Sequence, residues 1–108
     1  MLHSFADRDT EALWYGIAVK RFGPNLRRIA RRKLTMLNAA ADLSDCRVPP
    51  GNRLEKLGGD RSGQYSIRVN DQFRICFTWK SGGPADVEIT DYHRPDPCQT
   101  KRITEEAP

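Results

Sequence analysis

The sequence predicts an α+β fold, with two N-terminal helices packed on one face of a small antiparallel β-sheet. Three observations lead there. Between Pro24 and Ala41, apolar residues recur at three- and four-residue steps, the period of an amphipathic helix. From Gln64 onward the period drops to two, and β-branched and aromatic residues gather on one side of each run. Helical patterns come first and strand patterns after, the order of an α+β layer rather than of alternating βαβ units. At 108 residues the chain has room for one core.

Each element has its own signal. Leu2-His3-Ser4-Phe5 reads as a short strand. Asp7 or Asp9 can cap a first helix that uses Leu13, Trp14 and Ile17 and stops before Phe22-Gly23-Pro24. Pro24 suits the first turn of a second helix, whose apolar face is Leu26, Ile29, Ala30, Leu34 and Leu37. Arg27, Arg28, Arg31 and Arg32 fall on or beside its opposite face. Seven basic residues lie between Lys20 and Lys33, and no acid occurs from Gly16 through Ala41. Such a face is either a solvated helix surface or a groove for RNA or an acidic partner; charge density does not choose between them.

Asp42 to Asn52 reads as a loop, with Pro49-Pro50-Gly51 as turn chemistry. Arg53 to Leu57 is a weak first strand, followed by a tight connection at Gly58-Gly59-Asp60 and Ser62-Gly63. Two stronger strands follow. Tyr65, Ile67 and Val69 share a face of one; Phe73, Ile75, Phe77 and Trp79 share a face of the next. Both apolar sets must meet one core, which fixes the register. Val69 then lies opposite Phe73, Ile67 opposite Ile75 and Tyr65 opposite Phe77, with Asn70-Asp71-Gln72 as the loop. On the other face Arg68 lands opposite Arg74. Like charges directly opposed destabilise a sheet. An anion between them, solvation, or an acid such as Glu55 or Glu88 would relieve the cost, and two exposed arginines are the plainer expectation. After a turn at Ser81-Gly82-Gly83-Pro84, Val87 and Ile89 alternate with Asp86, Glu88 and Thr90 in the last strand, which runs into Asp91-Tyr92-His93. Residues 1–93 form the expected domain and residues 94–108 a polar tail.

Composition narrows the function classes. Eighteen Lys and Arg against fourteen Asp and Glu give a net charge of +4, which permits nucleic-acid binding without requiring it. Cys46, Cys76 and Cys98 are odd in number and widely spaced; they make neither a disulfide framework nor a CxxC metal site, and they suit a reducing compartment. His3 and His93 are the two histidines, so no metal site and no cofactor are expected. No apolar run approaches a membrane span, no secretory leader is expected, and a cytoplasmic location follows.

Chemistry-bearing groups are densest at Asp91-Tyr92-His93, where an acid, a phenol and an imidazole follow one another. Cleavage of RNA through its own 2′-hydroxyl asks for a base, an acid for the leaving 5′-oxygen, and cations on the phosphate. Acid–base help of that kind contributes roughly 10²–10⁴-fold, and fixed cations add electrostatic stabilisation. Glu55, His93, Asp91, Arg68 and Arg74 are the expected parts, gathered on one sheet face.

The stretch Leu54 to Ile75 carries Gly59-Asp60-Arg61, Gly63-Gln64-Tyr65-Ser66-Ile67-Arg68-Val69-Asn70 and Phe73-Arg74-Ile75. With Ser4-Phe5-Ala6-Asp7, Arg21-Phe22 and the closing Asp91-Tyr92-His93, it resembles the HigB, or plasmid-killer, branch of the RelE/ParE superfamily. The resemblance implies a toxin of a type II toxin–antitoxin pair that binds the ribosomal A site and cuts mRNA there. It implies a HigA-type helix-turn-helix antitoxin as partner, and contact with operator DNA only through that complex. It implies that Arg74 contacts the scissile phosphate and that Asp91, Tyr92 and His93 close the active site, with His93 moving the proton. Glu55 stands where well-known members carry a catalytic histidine, and Gly58 where they carry a lysine. A carboxylate is a weaker base than an imidazole at neutral pH, and one phosphate-neutralising charge is absent; Lys56 or Arg61 can substitute. Arg68, Lys56, Arg61, Arg27, Arg28 and Arg31 are the expected RNA contacts. Two alternatives remain: a weakly active toxin that serves mainly as an antitoxin-binding co-repressor, and a ParE-like inhibitor of DNA gyrase. The terminal acid–base triplet argues against the latter.

Overall fold

The computed structural model describes residues 1–48, 50–59 and 62–91. Two α-helices, two short 3₁₀ turns and four strands follow in that order: α1 (Arg8–Trp14), α2 (Pro24–Ala39), the turns Leu43–Arg47 and Pro50–Asn52, then β1 (Glu55–Lys56), β2 (Gln64–Arg68), β3 (Phe73–Lys80) and β4 (Gly83–Asp91). The strands form one antiparallel meander in chain order.

Asp7 caps α1, its carboxylate accepting the Thr10 N–H. The helix ends sooner than its apolar spacing suggests. Gly16, at φ +87°, donates its N–H to Leu13 O at 3.0 Å, and Ile17 donates to Ala12 O at 2.9 Å. This is a Schellman stop, which needs a left-handed residue one past the cap and finds it in glycine. Leu13 is therefore buried, while Ile17, expected on the same helical face, is turned out of the helix and is 60% exposed. Helix α2 begins at Pro24 and buries Leu26, Ala30, Leu34 and Leu37. These join Leu13 and the sheet residues Ile67, Ile75, Phe77, Val87 and Ile89 in one core cluster, with Ile29 partly buried against it.

The β2–β3 register is the one the alternation requires: Tyr65 faces Phe77, Ile67 faces Ile75, and Arg68 faces Arg74. Strand β1 is shorter than the expected Arg53–Leu57 run, only Glu55 and Lys56 pairing with Ser66 and Tyr65. In β4, Cys76 pairs with Glu88 but Thr78 with Ala85, so Asp86 and Val87 together oppose Phe77. This is a bulge. It carries Asp86 at φ +52° and keeps Val87 in the core.

The far edge of β4 is covered by the N-terminal segment. Phe5 bridges Val87 in parallel, with Ala6 N donating to Val87 O at 2.9 Å and His3 N to Pro84 O at 2.8 Å. The expected N-terminal strand is thus an isolated bridge. Gly83 allows this approach, because a Cβ there would collide with the Met1 carbonyl. Helix α1 is tied to the same strand: Ile89 N donates to the buried Thr10 Oγ1 at 3.0 Å.

Candidate active site

Strand alternation puts Arg74 on the sheet face opposite Ile75 and Phe77, where a cavity of about 270 Å³ is lined by Arg53, Glu55, Arg68, Asn70, Asp71 and Arg74. Arg74 is not the exposed arginine expected from sequence; it is 5% exposed. Burying a guanidinium requires that its N–H groups find acceptors. Its Nε donates to Ser66 Oγ at 2.8 Å, and its Nη2 to Arg53 O at 2.8 Å and Ser66 O at 3.4 Å. Glu55 Oε1 lies 3.6 Å from the same Nη2. These partners fix the plane of the guanidinium at the cavity floor.

The Arg53 carbonyl reaches Arg74 through an unusual backbone. Arg53 sits at φ +47°, a left-handed conformation that non-glycine residues seldom adopt. Just before it, the fully buried Asn52 donates to Cys46 O and Val48 O, both at 3.1 Å, and accepts from Lys33 Nζ. Cys46, Val48 and Asn52 are thereby tied to α2. Burial, then Arg32 and Arg68, hold the Lys33 ammonium below the ordinary lysine range.

Across the cavity, Arg68 pairs with Asp71, which is almost wholly solvent-exposed. Asn70 Oδ1 accepts the N–H groups of Gln72 and Phe73, both at 2.8 Å, which shapes the β2–β3 connection. The like charges of Arg68 and Arg74 are therefore each met by a carboxylate, Asp71 and Glu55. Among the described residues, three guanidiniums and two carboxylates leave the lining at about +1.

Of the expected site residues, Glu55, Arg68 and Arg74 come together here. Asp91 does not share their face. Its register partner is Phe73, so alternation turns it to the core side of the sheet, where Gln72 Nε2 donates to it at 3.1 Å. The single-face grouping expected from sequence is corrected to that extent. Lys56 is also displaced: opposite Tyr65, it lines a separate hollow with Leu43, Ser44, Arg47 and Leu54. Arg27, Arg28 and Arg31 line a separate groove beside α1, which shares no residue with the Arg74 cavity. Tyr92, His93, Arg61 and the tail 94–108 lie outside the described residues. Three cavity residues went unrecognised in the sequence: Arg53, Asn70 and Asp71. The Arg68–Arg74 opposition could have signalled Asp71, since opposed arginines need local acids, but it drew attention to Glu55 and Glu88 instead; Arg53 acts partly through a carbonyl, which no side-chain motif signals. Among the described residues no three His, Cys, Asp or Glu side chains cluster as metal ligands, and no helix is long and apolar enough to cross a membrane.

Residues 3–93 match the family model of the HigB-like toxin, the RelE-like toxin of the type II toxin–antitoxin system HigB. Over 51 residues the chain is 55% identical to Toxin HigB-1 of Vibrio cholerae, a segment that is 47% of this chain and 54% of that protein. Over 67 residues it is 37% identical to an uncharacterized protein of Haemophilus influenzae, covering 62% of this chain and 66% of that one. The matches thus span less than two thirds of either curated relative. Among solved structures, the YoeB-YefM complex from Staphylococcus aureus superposes with a TM-score of 0.56 at 20% identity, covering 87% of this chain and 99% of that one. That likeness is one of fold.

Proposed function

The chain belongs to the HigB-like family of RelE-like toxins of type II toxin–antitoxin systems, and on that premise we propose that it is an endoribonuclease that cuts mRNA at the ribosomal A site and is silenced by a HigA-type helix-turn-helix antitoxin. The observation that carries this reading is the buried, four-fold-anchored Arg74 at the floor of a cavity rimmed by Arg68 and Glu55. A guanidinium fixed in advance stabilises charge that develops on a phosphorane without reorganising during the reaction.

In the proposed mechanism the non-bridging phosphate oxygens face Arg74 and Arg68. Glu55 takes the proton of the RNA 2′-hydroxyl, whose oxygen attacks phosphorus. The P–O5′ bond breaks, and His93 gives its proton to the departing 5′-oxygen. The products are a 2′,3′-cyclic phosphate and a 5′-hydroxyl, and His93 regains a proton as Glu55 loses one. The chemistry asks for no metal, because the nucleophile belongs to the substrate.

The charge of the cavity supports ribosome dependence. A lining near +1 attracts a free RNA backbone weakly, so the message is delivered by a particle that already holds it. The Glu55–Arg74 pair also favours a second reading, a slow toxin whose larger role is co-repression with the antitoxin, since substrate must compete with that carboxylate.

Inducible expression with mapping of mRNA 5′ ends tests the function. New ends within codons should follow induction, and Arg74→Ala and His93→Ala should each relieve growth arrest while leaving the fold intact. Full arrest with both variants would refute the site. Arrest with unchanged mRNA ends would point to the gyrase-directed alternative.

A further inference from the structure

A second concave surface lies where the turn after α1 meets α2. The Schellman stop after α1 turns the chain across the outer face of α2 and opens a groove of about 720 Å³. Trp14 and Ile17 supply its apolar part, and Arg27, Arg28, Arg31 and Arg32 its charged part. Arg31 lies across the turn, its guanidinium 3.6 Å from where a Gly16 Cβ would stand. Tyr15 and Ile17, at this turn, are 67% and 60% exposed and are two of the four large apolar side chains most open to solvent among the described residues.

We propose that this groove is the docking site of the antitoxin, through a segment carrying carboxylates beside apolar anchor side chains. The inference rests on the type II toxin reading above. Charge complementarity is the first support. Among the described residues no carboxylate comes within ion-pair distance of the four arginines. Arg27 and Arg28 are held instead by neutral acceptors, Phe22 O at 2.7 Å and Asn25 Oδ1 at 2.6 Å. Among the described residues, four charges are thus held close together on one helix face without a counter-charge.

The apolar lining is the second support. A ribose-phosphate backbone gains little from Leu13, Ile17 and Ala18, whereas a peptide side chain buried against them gains in proportion to the area covered. The interface composition also fits, since protein interfaces favour tryptophan and arginine. Position is the third. The groove shares no lining residue with the Arg74 cavity, and Lys33, which feels both Arg32 and Arg68, stands between the two. Silencing would then leave the cleavage cavity uncovered by this segment.

Calorimetric titration of the purified HigA-type antitoxin from the same operon into the full-length chain tests this. Arg28→Glu/Arg31→Glu should weaken binding by about tenfold to a hundredfold, with a reduced dependence on salt. Arg28→Gln/Arg31→Gln, which only removes charge, should weaken it less, and Ile17→Ser should weaken it without altering the salt dependence. Arg74→Ala should bind as the parent does. Circular dichroism and thermal melts establish that each variant is folded. Groove variants that bind the antitoxin at parental strength overturn the inference and leave the toxin reading standing. Loss of affinity for a fluorescent oligoribonucleotide, with antitoxin binding intact, would make the groove an RNA contact instead. An antitoxin that fails to bind the unmodified chain would remove the proposed silencing by a HigA-type partner, and this inference with it.

Discussion

Ser66 Oγ accepts the Nε–H of Arg74 at 2.8 Å, one diagonal step across the β2–β3 ladder, with both side chains buried. A hydrogen bond to a buried charge contributes about 1.5–3 kcal/mol. Ser66→Ala should therefore lower the unfolding free energy by about 2 kcal/mol in urea titrations. It should also reduce mRNA cutting in a turnover assay more than it raises the KM for ribosomes, because the guanidinium loses its fixed plane rather than its charge. Unchanged stability and unchanged cutting would show that the remaining acceptors suffice.

Thr10 ties α1 to β4 through its hydroxyl, which receives the Ile89 N–H in a buried setting. Thr10→Val keeps the shape and removes the acceptor. Leaving a buried N–H unmet costs about 1–3 kcal/mol. The melting temperature should fall, and the Ile89 amide should exchange with solvent far sooner than its neighbours on β4.

Asp71 shares the cavity with three arginines and offsets one of their charges through Arg68. It is 92% exposed on its side chain, so the pair adds little to stability. Asp71→Asn should leave the melting temperature nearly unchanged. It should tighten binding of a short oligoribonucleotide and steepen the fall of that affinity with salt, as expected for one more uncompensated cation.

Cys46 is buried, and burial, then Asp45 and Asp42, push its thiol up to about 11. The thiolate is the reactive form, so iodoacetamide at pH 8 should label the native protein slowly and the guanidinium-unfolded chain quickly. The unfolded thiol ionises from its ordinary 9.0. Between that value and the folded one the unfolded state holds fewer protons, so stability falls as pH rises through the window. Cys46→Ala should flatten that fall in alkaline melts.

Much of the fold was legible because one face of the sheet must be apolar. Tyr65, Ile67, Phe77 and Ile75 pair as their alternation demands, since any slip by one residue would drive Arg68 or Arg74 into the core. The end of α1 was not legible, because Ile17 continues the helical spacing and only the left-handed Gly16 stops it. The site divided in the same way. Side-chain type and register located Arg74, Arg68 and Glu55. The burial of Arg74 depends on the Arg53 carbonyl, and therefore on a backbone conformation that pattern does not encode. Asp91 was expected on the Arg74 face, although it shares the parity of Val87 and Ile89, and the structure pairs it with Phe73 on the other face.

The two flanks of the sheet are finished very differently from its centre. On one flank the opening residues run beside β4 and take up its outward carbonyls and amides; on the other, β1 presents just two residues of backbone. A neighbouring molecule seeking to extend the ladder finds one side occupied and the other too brief to hold a register. Concentrated preparations should accordingly resist cross-strand stacking, and that protection rests on the seam between His3–Ala6 and Pro84–Val87.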